Sequence, residues 1–187
     1  MNEARIGIGM AATMLGLAGM ILAPALVIAG IVLVPTNLRI WAAFGAAGPA
    51  ELQQGVQGFL HFMTNIALIQ LRIAFCFLAL VYLGVRARRR DSGLHKRLMI
   101  LATTVPLPAA LDRMTFLPHT LPNSPLTADL WPLFCIAPMF LWDLYRLRSV
   151  HRAYWIWAVF MVPTGIAINL LWDSPWWHAF APGLLYR

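Results

Sequence analysis

Four polar side chains, Gln57, His61, Asn65 and Arg72, interrupt a largely apolar stretch of the chain. At 100° per residue they fall within an arc of about 80° on one helical face. A guanidinium at the centre of a bilayer costs about 2.5–3.5 kcal/mol to insert, so Arg72 calls for a counter-charge, a bound anion or a water-filled cavity. The stripe suits a ligand or ion site, or hydrogen bonds that lock helix to helix. A second set, Asp112, Arg113, Asn169, Asp173 and His178, falls near helix ends and with His61 is expected to line one outward-facing polar pocket. A third set comprises His95, Lys96, Arg97, Asp143, Arg146, His151 and Arg152. His95 and His151 open apolar helices, where free backbone N–H groups and the dipole favour anions. Asp143 stands near a helix C-terminus, where the dipole disfavours it, and needs Arg146 at i+3, or Arg97 or His151 from another helix. That set offers a headgroup or phosphate site, or a His–Asp–His metal site. The plainer alternative is interfacial anchoring by basic residues against anionic lipid.

Cofactor candidates are His61, Arg72, His95 and His151, with haem or quinone as the group. A bis-histidine haem needs two histidines at one depth on facing helices, and no pair lies well inside two spans. The sequence contains no CxxCH, HExxH, P-loop, GxSxG or GxGxxG signature, so no catalytic residue is named and enzyme activity stays open. Cys76 and Cys135 lie inside apolar runs without CxxC spacing.

The elements that must hold these residues follow from composition. Of 187 residues, 60% are hydrophobic and 11% charged, against about 45–50% and about 25% in soluble domains. The net charge is +7, but the basic residues cluster beside apolar runs, which is a membrane pattern and argues against nucleic acid. A span needs about 20 apolar residues. The sequence predicts one all-α transmembrane domain with about five spans, near 12–34, 60–85, 95–114, 126–145 and 153–172. The second helix has room to start earlier, near Glu51. Residues 173–187 form a Trp-rich tail along the outer surface. A cleavable leader is the rival reading of the first span, but the apolar core is too long and Glu3 precedes it. Spans three and four hold Pro106, Pro108, Pro132 and Pro138 and are the weaker two; four spans would follow if they formed a re-entrant hairpin. The loop Phe116–Pro125 is expected to be extended. Arg86–Arg97 and Arg146–Arg152 are the arginine-rich linkers, so the positive-inside rule gives N-in, C-out. Trp142, Tyr145, Tyr154 and Trp155 would form an inner aromatic belt, and Trp131, Trp172, Trp176 and Trp177 an outer one.

The run from His95 to Thr103, with Arg113, Asp143, His151 and Trp176-Trp177 after it, resembles a family of small bacterial multi-pass membrane proteins with a His-Lys-Arg-Leu-Met segment. A weaker likeness links the His-Lys-Arg opening to b-type cytochrome membrane domains. The resemblance implies helical membrane architecture and carries no activity. The expectation is therefore a non-enzymatic protein of the bacterial inner membrane. It would be an accessory or assembly subunit of a respiratory or photosynthetic electron-transport complex, in contact with anionic lipid and a protein partner. The alternatives are a haem-, metal- or quinone-binding redox protein, and a small transporter or lipid-binding protein.

Overall fold

The computed structural model describes the backbone of residues 2–185 and the side chains at 14, 18, 19, 21, 22 and 24–185. Seven helices follow in order: α1 (Asn2–Ala47), α2 (Ala50–Ala87), α3 (Ser92–Thr104), α4 (Pro108–Leu111), α5 (Leu126–Leu147), α6 (Arg152–Leu171) and α7 (Pro175–Leu185). No strand occurs among the described residues. Three segments are long and apolar enough to cross a membrane: Pro24–Ala47, α2 and α6. The Arg5 side chain and Arg187 lie outside the described residues, as do several side chains of the expected 12–34 span.

Helix limits follow local chemistry. Pro49, with no N–H to satisfy, precedes α2, which begins at Ala50 and runs 38 residues, about 57 Å. Gly45 admits the close α1–α2 approach, since a Cβ there would come 2.6 Å from Val56 Cγ1. α5 and α6 match the expected spans to within two residues. The third span does not: α3 stops at Thr104 after 13 residues, about 20 Å, not near Met114. Pro106 lacks a hydrogen-bonding N–H and its ring clashes with the carbonyl one turn back, which disfavours a further turn, and the helix ends before it. The Thr103 and Thr104 hydroxyls donate to the Ile100 and Leu101 carbonyls at 2.7 and 2.8 Å. Beyond α4, residues 116–125 make hydrogen-bonded turns instead of an extended loop, with Thr120 Oγ1 donating to the Ser124 carbonyl at 2.8 Å.

Two apolar clusters fill the bundle. One joins Cys76 and Leu80 of α2, Leu94, Leu98 and Leu101 of α3, Ile136 of α5, and Tyr154, Trp157 and Met161 of α6. The other joins Leu38 of α1, Val56, Leu60 and Leu68 of α2, Ile168 of α6, and Trp177, Ala181 and Leu185 of α7. The last three recur every fourth residue, so α7 docks one stripe and leaves Trp176, Phe180 and Leu184 outside. Tyr154 and Trp177 are therefore core residues, not belt residues. Asp91 pairs with Arg152, and Arg97 with Asp143, which brings the two arginine-rich linkers to one end of the bundle.

Candidate functional site

Three polar centres punctuate the bundle. At the arginine-rich end, Asp91 caps α3 by accepting the Leu94 N–H at 2.9 Å. That bond and the Arg152 guanidinium hold its carboxyl below the usual range. One turn further in, Arg97 grips Asp143 with two bonds of 2.6 Å, from Nε and Nη2, while the Tyr154 hydroxyl donates to Asp143 Oδ2 at 2.7 Å. A bidentate guanidinium and a phenol thus satisfy the carboxylate that the α5 dipole disfavours. The Asp143 side chain is only 8% exposed, so this is an interior pair.

The second centre joins α2, α5 and α6. Arg72 donates through Nη1 to Asp129 Oδ1 and through Nη2 to the Ala128 carbonyl at 3.0 Å. Asn169 Nδ2 donates to the other Asp129 oxygen at 2.8 Å. Gly165 makes the room: a Cβ there would stand 3.0 Å from Asp129 Oδ1 and 3.3 Å from Arg72 Nη1. Since Asp129 lies in the first turn of α5 and Asn169 in the last turn of α6, the pair sits toward the end of the bundle opposite the arginine-rich linkers.

The third centre lies beyond the end of α6. Asp173, in the left-handed region at φ 55°, turns its carboxylate toward α2. Asn65, buried, donates to Asp173 Oδ1 at 2.6 Å and accepts the Asp173 backbone N–H at 3.3 Å. His61 Nε2 is 3.1 Å from the same carboxylate oxygen, and His178 Nε2 is 3.5 Å away. The two imidazoles stack face to face, with centroids 3.8 Å apart and planes 5° from parallel. His178 Nε2 is closed off from solvent and makes no hydrogen bond. Burial, then the His61 ring, lowers the His178 pKa below the ordinary 6.5 against the pull of Asp173. Burial raises Asp173, but the bonds from Asn65 and His61, with the His178 ring beside them, outweigh it and hold the carboxyl below 3.8. Trp177 clamps the tail beside this centre, its Nε1 donating to the Thr64 carbonyl at 2.9 Å.

The expected stripe therefore divides. Gln57 is exposed, His61 and Asn65 meet Asp173, and Arg72 belongs to the second centre. The expected outer pocket divides too. Asp173, His178 and His61 converge and Asn169 joins Asp129, while Asp112 accepts from Thr127 at 3.5 Å and Arg113 donates to the Ala109 carbonyl of its own turn. At the arginine-rich end, His95 Nδ1 donates to the Gly84 carbonyl at 2.8 Å, tying α3 to α2. His151 caps α6, its Nδ1 accepting the Ala153 N–H at 3.1 Å. Of the cationic partners open to Asp143, the geometry selects Arg97; Arg146 lies over the Trp142 ring at 5.8 Å, and Lys96 is exposed. The stacked His61 and His178 rings leave no slot for a macrocycle between them. Asp129 and Tyr154 were not legible as site residues, although an arginine within an apolar helix is itself a signal to seek a carboxylate elsewhere.

No protein-family model, curated protein or solved structure matches this chain.

Proposed function

We propose that this chain is a non-enzymatic, five-crossing protein of the bacterial inner membrane, an accessory or assembly subunit of a larger respiratory or photosynthetic complex. The observation that carries the reading is the use made of the intramembrane charges. Arg72–Asp129–Asn169 ties α2, α5 and α6, and Arg97–Asp143–Tyr154 ties α3, α5 and α6. Polar groups engaged in this way fix helix register and leave the outer faces apolar. α3 counts as a crossing because it leaves the arginine-rich end and the chain returns at the opposite end of α5. With the arginine-rich end in the cytoplasm, the orientation is N-in, C-out.

The partner-facing element is α1. Its residues Leu22, Leu26, Ile28, Val32 and Ile40 are all exposed. An apolar cleft of about 500 Å³ runs between it and α2, lined among others by Leu26, Gly30, Val34, Leu71 and Phe77. A membrane helix of another subunit fits such a face, because association in lipid relies on shape and close packing. Photo-reactive residues at Leu22, Ile28 and Val32 in native membranes test this, with Trp142 as the control position. Adducts to one discrete polypeptide from α1 support the reading. Lipid adducts alone, with a monomeric mass after gentle solubilisation, overturn it.

A further inference from the structure

We infer that His61, Asp173 and His178 form a site for one divalent transition-metal ion of the zinc class, at the end of the bundle opposite the arginine-rich linkers. The three side chains come from separate parts of the chain: α2, the turn after α6, and α7. Their ligand atoms all lie within 4.8 Å of one another. A tetrahedral ion with bonds of about 2.0–2.1 Å places its ligand atoms about 3.3 Å apart. The two distances to Asp173 Oδ1, 3.1 Å from His61 and 3.5 Å from His178, bracket that edge, and the exposed His61 ring turns out of its parallel stack on His178 to aim its lone pair at the same point. Two imidazoles and one carboxylate are the donor set that zinc accepts in open, three-ligand sites, and hard ions such as Mg²⁺ or Ca²⁺ would avoid the nitrogens.

Two further observations point to an absent ligand. His178 Nε2 is shut away from water without a hydrogen-bond partner, and a metal ion satisfies it. Asn65, 2% exposed, holds the Asp173 carboxylate by one bond and the Asp173 backbone by another, which is how an outer-shell residue aims a ligand. His61 and Asp173 are 58% and 51% exposed at the side chain, so the fourth position faces solvent and takes water or an exchangeable donor. The ion would staple the turn after α6 and the first turn of α7 onto α2.

The test uses the full chain in nanodiscs, stripped with chelator and titrated with Co²⁺ and then Zn²⁺. One equivalent binds, Co²⁺ shows the intense visible band of four-coordination, Zn²⁺ displaces it, and zinc raises the Tm. His61→Ala, Asp173→Asn and His178→Ala each weaken binding by at least about tenfold, and Asn65→Ala by about tenfold. His119→Ala, in the loop before α5 and outside the trio, leaves binding unchanged. If His178→Ala does not fold, His61→Ala decides, because that ring is exposed. Binding well below one equivalent, or binding unchanged in both His61→Ala and Asp173→Asn, overturns the assignment and leaves the trio as a hydrogen-bonded latch.

Discussion

At the scale of single residues, the buried carboxylates set the terms. Replacing Arg97 by Met leaves Asp143 charged and unpaired in the interior, at a cost of about 3–5 kcal/mol. Adding Asp143→Leu removes the stranded charge, so the double variant is expected to recover much of the lost Tm. Gly165→Val is expected to lower the Tm strongly, because its side chain must enter the space where Asp129 and Arg72 meet. His151 supplies a pH dependence. Burial, then Arg97, lowers its pKa below 6.5, although Asp143 and Asp91 pull the other way. The folded form therefore binds its proton less readily than the unfolded form, so stability is full above about pH 6.5 and declines below it. Protonation also removes the Nδ1 lone pair that caps α6. Asp91, with its carboxyl held below 3.8, stays ionised throughout that window and does not contribute to the slope. Thermal melts between pH 7.5 and 5 check this: the Tm falls with acid in the native chain and less in His151→Asn, and His178, also held below 6.5, supplies the slope that remains. The need for partners was legible in the sequence, and their identities were not. Asp143 had several candidate cations, and only tertiary distance selects Arg97. Asp129 stands in a first helical turn, where carboxylates are common, so nothing local marks it as the partner of a residue 57 positions earlier.

At the scale of elements, proline shows where sequence reasoning succeeds and where it fails. Pro132, Pro138 and Pro163 all lie inside continuous helices, whereas Pro106 stands just beyond the end of α3 and Pro108 opens α4. The local chemistry is the same in each case. What differs is whether packing holds the helix on both sides of the ring, and that is a tertiary property. The limits of α5 and α6 were legible because charged or capping residues mark their ends at the arginine-rich linkers. The depth of α7 was not, because a Trp-rich tail reads equally well as a surface anchor. Trp177→Ala removes a core ring and its bond to the Thr64 carbonyl, and is expected to cost about 3–5 kcal/mol. Limited proteolysis checks the consequence: cleavage within 172–175 accelerates while the α5–α6 hairpin stays resistant.

At the scale of the whole molecule, the ion pairs that hold the two arginine-rich linkers together make topology testable with few probes. Arg89→Cys and Ser149→Cys are expected to react with an impermeant thiol reagent from the cytoplasmic side only, and Asn123→Cys from the opposite side only. Labelling of Arg89→Cys and Ser149→Cys from different sides would contradict the bundle itself, since Arg152 and Asp91 could not then meet. The length of α2 has a consequence for the host membrane. The helix measures about 57 Å against a hydrocarbon layer of about 30 Å, and its overhang carries Glu51, Gln53, Gln54 and Gln57. That segment works as a depth gauge with few marks: a thicker or thinner bilayer slides along amide side chains, and the carboxylate held against this stretch, Asp173, is already hydrogen-bonded by Asn65 and His61. Reconstitution in lipids of graded acyl length is therefore expected to change the Tm little, while a fluorophore walked from Gln54 to Ile66 reports the waterline moving with each lipid.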